Sequence, residues 1–242
     1  MTNTWILLGV IIVFVVGITV IYILDSPDSS IEYGDTYKDN FSNGEAELNW
    51  RAYLYFNHDN LAGSFDPSAP QGGGIGVLDN SNAGGFASLS YAVTPQVSDF
   101  YFGAQVYCNA TEGDNGPLQG IAFLVDPIDG RFYRLVCDFK TNDSSLNLAY
   151  VGQDTNNFPA YVRIWSPEEI PGGAKAGWHS MAVEVIDGEA SVYWDGVEIE
   201  DRVFVDRISN GYAGAYTNYV GGFGDAVTKI DTFTLKEIRY RQ

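Results

Sequence analysis

Residues 177–199 read GWHSMAVEVIDGEASVYWDGVEI, and this stretch decides the fold class. Apolar and polar side chains alternate in residues 182–185 and again in 191–194, which is the pattern of strands with one buried face. An Asp-Gly pair follows each run, at 187–188 and at 195–196, and Asp-Gly favours the tight turn of a β-hairpin. The stretch therefore predicts a strand, a turn, a second strand and a second turn.

The rest of the chain beyond Leu24 repeats this pattern. Strand-like runs alternate with turn signals, and no segment shows sustained helical periodicity. Aromatic residues form 14% of the chain and glycines number 27, a composition that favours a β-sandwich with many tight turns over a helical bundle. The sequence therefore predicts an all-β fold of two antiparallel sheets packed face to face. The predicted strands are 100–108, 120–125, 132–139, 146–151, 161–165, 179–186, 190–194 and 229–240.

Several motifs in this order resemble a known family. A W-H-x-hydrophobic strand at 178–181 precedes a V-Y-x-D-G hairpin at 192–196, and a G-x-x-G strand at 211–217 precedes a final x-x-D-x-F strand at 226–233. Near the start, Asp39-Asn40-Phe41-Ser42 and Trp50 resemble the opening of the same domains. Together they resemble concanavalin A-like lectin/glucanase domains, in particular laminin-G-like modules and 3-keto-disaccharide hydrolases. The resemblance implies a concanavalin A-like jelly roll over residues 38–242, but not its activity, because that fold hosts lectins, hydrolases and adhesive modules.

An uncharged apolar run precedes this domain. Residues 5–24 read WILLGVIIVFVVGITVIYIL, and about 20 apolar residues in a helix span the roughly 30 Å hydrocarbon core of a bilayer. A cleaved signal peptide would have a basic first region and a small-x-small site before Asp25, and the sequence has neither. We therefore expect a single transmembrane α-helix at 1–24 as a retained anchor, followed by a polar linker at 25–37. Gly9 and Gly17 share roughly one face of this helix, which admits a neighbouring helix closely, although a lipid-facing helix is an equal alternative.

Net charge and expected topology restrict which compartment the domain occupies and which classes of partner it can bind. The net charge is −18, and such a surface repels nucleic acid. Only four residues precede the apolar run, so the simplest topology is single-pass, with the C-terminal domain periplasmic or extracellular. Cys108 and Cys137 fit an oxidising compartment. A disulfide between them is allowed if their strands are adjacent, but not if a third strand lies between them at about 9–10 Å. The disulfide stays open at this point.

No catalytic centre is recognisable in the sequence. Glycoside hydrolysis by the usual route needs two carboxylates across the scissile bond, and glucanases of this fold carry an E-x-D-x-E strand that this chain lacks. Two histidines, His58 and His179, do not form a metal motif, and His179 occupies a position where the resemblance implies a structural role. We assign no catalytic residues, although an enzyme is not excluded.

Two kinds of ligand remain as candidates. The resemblance implies calcium at a rim of the fold, and two segments offer hard oxygen donors, although Asp- and Asn-rich loops are usually only turns. A glycan platform needs exposed aromatic side chains beside polar groups, whereas Trp50, Trp178 and Trp194 lie in or beside patterned strands and are expected in the core. The calcium candidates are Asp79, Asn80, Asn82, Asp138 and Asp143, and the glycan platform candidates are Trp165, Tyr216 and Tyr219.

Three functions follow from these observations. The first is a non-catalytic accessory subunit or scaffold in a membrane protein assembly, favoured by the anchor, the short linker and the missing catalytic acids. The second is a carbohydrate-binding, lectin-like module acting through the concave face of the sandwich. The third is a sugar-processing hydrolase, as the resemblance to 3-keto-disaccharide hydrolases implies.

Overall fold

The computed structural model describes residues 31–53, 61–71, 73–79, 87–111, 116–140, 144–219 and 226–240. Residues Tyr33–Ile238 belong to one unit. The predicted anchor at 5–24, with Gly9 and Gly17, lies outside the described residues. Within the described ranges, no helix has the length and apolarity needed to cross a membrane.

Strands dominate the described residues, as the alternation predicts. Each of the eight predicted strands is present and differs by at most three residues at either end. The strands are β1 (Ile31–Asp39), β2 (Trp50–Ala52), β3 (Ala62–Phe65), β4 (Gly74–Asp79), β5 (Ser88–Ala92), β6 (Phe100–Cys108), β7 (Ala110–Thr111), β8 (Pro117–Asp126), β9 (Arg131–Lys140), β10 (Ser145–Val151), β11 (Ala160–Trp165), β12 (Gly177–Ile186), β13 (Glu189–Trp194), β14 (Val197–Phe204), β15 (Tyr212–Tyr219) and β16 (Val227–Tyr240). Single 3-10 turns occur at Ser42–Gly44 and Gln153–Thr155.

One boundary differs from the prediction. The polar linker was expected to reach residue 37, but Ile31–Asp39 form strand β1, which pairs with β16. The segment lacks the apolar alternation of a half-buried strand, so its pattern predicted no strand. Pairing with the backbone of β16 at the edge of a sheet satisfies its amide groups without a buried face.

The described strands form two antiparallel sheets. Sheet A has the order β14-β13-β12-β6-β16-β4-β3, with β1 also paired to β16. Sheet B has the order β11-β10-β9-β8-β15-β5-β2, with β7 paired in parallel to β9. Consecutive strands pair at three places in each sheet order, and the other neighbours, such as β6 with β16 and β8 with β15, are distant in sequence, as expected of a jelly roll.

The main core lies between the two sheets. Inward-facing residues of both sheets form one buried cluster, which includes Phe102 and Phe233 from sheet A and Phe123 and Leu135 from sheet B. Trp50 and Trp194 lie in this cluster as predicted. Ring contacts fix its geometry, since the Phe233 ring lies 5.1 Å from both the Trp50 and the Phe102 ring.

The two Asp-Gly turns have the backbone conformation that a two-residue hairpin requires. Asp187 and Gly188 have φ of 52° and 77°, and Asp195 and Gly196 have 49° and 77°. Positive φ at both central residues defines the type I′ turn, which Asp-Gly adopts at low cost. The stretch at 177–199 therefore folds as the sequence predicts.

Asp39 explains the opening motif of the domain. Its carboxylate is fully buried and accepts hydrogen bonds from the backbone N–H of Phe41, Glu47 and Leu48, at 2.9–3.1 Å, and from Trp50 Nε1 at 2.8 Å. Three donors from the loop and one from Trp50 of β2 therefore converge on one carboxylate. This network ties the loop at 40–49 to the core through Trp50.

Cys108 and Cys137 form a disulfide between the two sheets. Cys108 ends β6 of sheet A, Cys137 lies on β9 of sheet B, and their Cα atoms are 6.3 Å apart. Both side chains are buried. Both alternatives weighed from the sequence placed the two cysteine strands in one sheet. In the structure the disulfide joins a strand of sheet A to a strand of sheet B.

Candidate functional site

The outer face of sheet A carries an open groove whose floor is Gly103. On β6, Gly103 lies opposite Ala182 of β12 on one side and Thr234 of β16 on the other. Three small side chains in one row across the sheet leave a depression of about 300 Å³. We call this depression the sheet A groove. Its lining residues are Lys38, Gln71, Tyr101, Gly103, Ala104, Gln105, Ser180, Thr232, Thr234 and Lys236.

Polar side chains surround the floor. Gln105 follows Gly103 on the same face of β6 and lies opposite Ser180 of β12. The side chains of Gln105, Ser180 and Thr234 form no hydrogen bond with any other described residue, so their amide and hydroxyl groups are available to a ligand. The groove thus offers neutral groups that both donate and accept hydrogen bonds.

Aromatic side chains stand at both ends of this face. Tyr101 and Tyr107 lie six residues apart on β6, which is about 20 Å along a strand. Tyr33 is 48% exposed and its hydroxyl donates to Glu184 Oε1 at 3.4 Å, while the Tyr107 ring packs edge-on against Trp178 at 5.5 Å. Trp178 was expected in the core, but it lies on this outer face because residues 178, 180, 182 and 184 share one side of β12.

Lys236 connects the groove to the first aromatic end. Its Nζ lies 5.0 Å from the centroid of the Tyr33 ring and 5.3 Å from that of Tyr101. Partial burial and the Glu184 carboxylate raise the pKa of both tyrosines above the ordinary value, so both hydroxyls stay protonated at neutral pH. Neither Lys236 nor Lys38 forms an ion pair with a described residue.

A buried carboxylate lies beside the groove. Asp231 of β16 is opposite Gln105, and its Oδ2 accepts a hydrogen bond from the Gln71 backbone N–H at 3.0 Å. Its Oδ1 is buried without a hydrogen-bond partner, and burial raises the pKa of this carboxyl. The register of β16 shifts here, and Thr232 has a φ of 51°, so a bulge separates Asp231 from the floor residue Thr234.

The outer face of sheet B differs because its side chains are buried. Tyr216 lies there in a second buried cluster, its ring 5.7 Å from Phe132, and Phe132 packs edge-on against Tyr53. Arg134 is buried in the same face and donates from Nη1 to the Tyr216 hydroxyl at 2.7 Å. The rings of Tyr53, Phe132 and Tyr216 in this layer are therefore buried.

The three predicted platform residues therefore do not form an exposed platform. Trp165 is fully buried on the inner face of sheet B, where the register pairs it with the core residue Leu146. Tyr216 is buried on the opposite face, and Tyr219 is half-buried at the end of β15. The expected exposure of Trp165 and Tyr216 was wrong, because Trp165 faces the core between the sheets and β15 buries both of its faces.

The predicted calcium ligands are not brought together where the structure describes them. Asp79 ends β4 of sheet A, whereas Asp138 lies on β9 of sheet B and contacts Lys140 Nζ at 2.9 Å. Asn80, Asn82 and Asp143 lie outside the described residues. Across the described ranges, no group of three or more His, Cys, Asp or Glu side chains is arranged to hold a metal ion.

His179 has the structural role that the resemblance implied. Its Nδ1 lies 2.8 Å from Asp195 Oδ2, its Nε2 lies 2.8 Å from the Lys175 carbonyl oxygen, and its ring stacks on Trp194 at 4.5 Å. These contacts hold the ring against the turn that follows β13. His58 lies outside the described residues.

Sequence reasoning missed the groove residues, although one signal pointed to them. The run FYFGAQVYC at 100–108 alternates perfectly, so Tyr101, Gly103, Gln105 and Tyr107 had to share one face. What the run could not show is that residues of β12 and β16 flank this face. That neighbourhood arises from strand pairing over 71 residues or more of sequence.

Comparisons with known proteins identify the fold. No family model and no curated protein matches the sequence. Among solved structures, the chain is similar to the cellulose-induced protein Cip1, with a TM-score of 0.54, 14% identity and coverage of 82% of this chain and 96% of that one. It is also similar to a prokaryotic β-1,3-1,4-glucanase (lichenase) derived from a mouse hindgut metagenome, with a TM-score of 0.53, 12% identity and coverage of 84% and 99%.

A third similar structure is the catalytic domain of an endo-1,3-β-glucanase (laminarinase) from Thermotoga petrophila RKU-1. Its TM-score is 0.52 at 9% identity, over 86% of this chain and 98% of that one. Identities this low show the fold and not the activity. The described part of the chain is a concanavalin A-like antiparallel β-sandwich.

Proposed function

We propose that this protein is a carbohydrate-binding module whose glycan site is the sheet A groove. The observation that carries the proposal is the polar floor around Gly103 between two aromatic ends, Tyr33 with Tyr101 and Tyr107 with Trp178. A sugar ring presents C–H groups on its faces and hydroxyl groups at its edges. Aromatic rings with a polar rim match both, because they provide apolar area beside hydrogen-bonding groups.

The fold supports a glycan as the ligand. The similar structures include a laminarinase and a lichenase, which are enzymes named for their glycan substrates. Binding needs no bond cleavage, so the proposal does not require a pair of catalytic carboxylates. The two acidic groups beside the groove have other partners, since Glu184 accepts from Tyr33 and Asp231 from Gln71.

We further propose that residues 5–24 anchor the module in a membrane, with the sandwich on the periplasmic or extracellular side. The uncharged apolar run supports the anchor. The Cys108–Cys137 disulfide supports the periplasmic or extracellular side of the membrane, because disulfides persist in oxidising compartments. An anchored glycan-binding module would hold polysaccharide near the cell surface.

The test uses the full-length chain in lipid nanodiscs. A glycan array identifies a ligand, and calorimetry compares the wild type with Gly103→Val. A Cβ at residue 103 would lie 3.0 Å from the Tyr101 hydroxyl and 3.2 Å from the Ala182 Cβ, so valine fills the floor. We expect at least about tenfold weaker binding, which corresponds to about 1.4 kcal/mol.

Two further variants control this experiment. Ser191→Val places the same side chain on β13 of sheet A, outside the groove, and should bind as the wild type does. Tyr101→Ala removes a groove ring without adding volume, so it reports on the site even if valine at 103 disturbs folding. Unchanged binding by both Gly103→Val and Tyr101→Ala would refute the groove as the glycan site.

One observation favours a role as an accessory subunit as a second candidate function. Strand β11 is an edge of sheet B, and Tyr161 and Ile164 on it are 55% and 47% exposed, with Phe158 just before it 73% exposed. An edge strand with exposed apolar side chains is a common protein contact surface. Extraction of the native membrane in mild detergent, followed by native gel separation and mass spectrometry, tests this role. Migration with a stoichiometric partner that Ile164→Lys abolishes would support it, and migration of the chain alone would refute it.

A further inference from the structure

A second cavity lies away from the sheet A groove, at the end of the sandwich where β9 begins and β10 ends. It has a volume of about 420 Å³, and no residue of the groove lines it. We call it the edge cavity. Its lining comes from the β8–β9 turn, β9, β10, the 3-10 turn after β10 and the loop before β15, in the form of Asp129, Arg131, Tyr150, Gln153, Asp154 and Arg207.

The first wall of the edge cavity is an arginine between two carboxylates. Arg131 Nη2 lies 2.8 Å from Asp129 Oδ2 and 3.0 Å from Asp126 Oδ2. Arg131 Nε is buried and has no hydrogen-bond partner. A buried donor without a partner is costly. The Arg131 side chain as a whole is 33% exposed, so the N–H groups at its tip, rather than Nε, are the ones that a ligand can reach.

A second part of the lining repeats the combination. The Tyr150 hydroxyl donates to Asp154 Oδ1 at 2.7 Å, and Arg207 Nη1 lies 3.5 Å from Asp154 Oδ2. The Arg207 guanidinium also lies over the Tyr150 ring, 4.7 Å from its centroid. Burial and the Asp154 carboxylate raise the pKa of Tyr150 to about 12, so its hydroxyl remains a donor committed to Asp154.

Charged groups of both signs line the cavity. Asp129 and Asp154 disfavour an anion and Arg131 and Arg207 disfavour a metal cation, while Asp126 adds a third carboxylate beside Arg131. The Arg207 guanidinium covers one face of the Tyr150 ring. The lining offers two places at which a carboxylate lies beside a guanidinium.

We propose that the edge cavity is a second ligand site, which takes the vicinal hydroxyl groups of a neutral sugar. A hydroxyl both donates and accepts, so it can donate to a carboxylate while it accepts from the neighbouring guanidinium. Two adjacent hydroxyls match the two Asp–Arg pairs, Asp129 with Arg131 and Asp154 with Arg207. The amide of Gln153 adds one more donor and acceptor. This site does not depend on the groove, so the module would hold two parts of a glycan at once.

The experiment uses the full-length chain in nanodiscs and three probes, the methyl pyranosides of glucose, galactose and mannose, each compared with its 3-deoxy analogue, which has no vicinal hydroxyl pair on the ring. NMR saturation transfer and calorimetry measure binding. For at least one sugar we expect Asp154→Asn to weaken binding at least about tenfold, because a site built to hydrogen-bond a hydroxyl discriminates strongly against its loss. Arg131→Lys, which keeps the charge and loses Nε and the planar fork, should have a similar effect.

Matched controls separate this site from the groove. Asp206→Asn removes a carboxylate from the same loop as Arg207 but outside the lining, so it should stay within about twofold of the wild type. Gly103→Val should also leave this binding intact, so the failure of one site is distinguishable from that of the other. The inference is overturned if none of the three sugars binds, if the 3-deoxy analogues bind as well as their parents, or if the cavity binds sulfate or calcium instead.

Discussion

Removal of the disulfide should cost this domain about 3.6 kcal/mol of unfolding free energy. Cys108 and Cys137 are 29 residues apart, and the loop-closure relation for a loop of that length gives about 12 cal/mol/K of lost unfolded-state entropy, or about 3.6 kcal/mol at 25 °C. For a domain of about 200 residues, each kcal/mol shifts Tm by about 2–4 °C, so Tm should fall by about 7–14 °C.

Thermal unfolding of Cys108→Ala/Cys137→Ala and of the wild type, each with and without reductant, measures this loss. Reductant should lower the Tm of the wild type and leave the double variant unchanged, because only the wild type has a bond to lose. Alkylation followed by mass spectrometry reports whether the wild-type thiols are free. The reasoning is refuted if fully reduced wild type unfolds within about 1 kcal/mol of the oxidised protein, since the bridge would then not restrict the unfolded chain as the loop length requires.

Three further predictions concern single side chains. Asp39→Ala leaves three loop donors and Trp50 Nε1 without their acceptor and should lower the unfolding free energy by about 3 kcal/mol or more, measured by urea unfolding. Trp165→Ala should cost about 3–5 kcal/mol because the ring is fully buried, while the affinity of the folded protein for a glycan stays unchanged in calorimetry. Asp231→Asn should remove a pH dependence of the unfolding free energy. Burial raises the pKa of Asp231, so the wild type loses stability as pH rises from about 4 through that raised pKa. Asparagine does not ionise, so the variant should show no such loss.

Each of these has its own check. Asp39→Asn keeps the shape of the side chain but retains only one acceptor oxygen, so its unfolding free energy should lie between those of the wild type and of the alanine variant. Trp165→Phe should recover most of the stability lost in Trp165→Ala, and a loss of glycan affinity in the folded phenylalanine variant would place Trp165 in the site after all. For Asp231, the comparison is the change in Tm between pH 4 and pH 7 in the two proteins, and equal changes would show that its ionisation is not linked to folding.

The local structure of this protein follows from its sequence. Alternation in residues 100–108 and 177–199 sets the strands, because a period of two buries one face, and Asp-Gly at 187–188 and 195–196 sets hairpin turns, because both residues tolerate positive φ. The order of motifs from Asp39 to Phe233 carries the resemblance to the concanavalin A-like fold, which the solved structures confirm. Strand β1 escaped prediction because an edge strand paired through its backbone needs no apolar alternation.

The site depends on tertiary structure. The groove floor combines Gly103 with Ala182 and Thr234, and only the pairing of β6 with β12 and β16 makes them neighbours. Trp165 and Cys108 show the same limit of prediction from sequence. Alternation indicates that a strand has two faces, but it does not indicate which face meets the other sheet. The sequence therefore determined the strands, the turns and the fold class, which depend on residues close together in the chain. Only the tertiary structure decided which rings are buried, which sheets the disulfide joins and where a ligand can enter, because these depend on register between strands far apart in the chain.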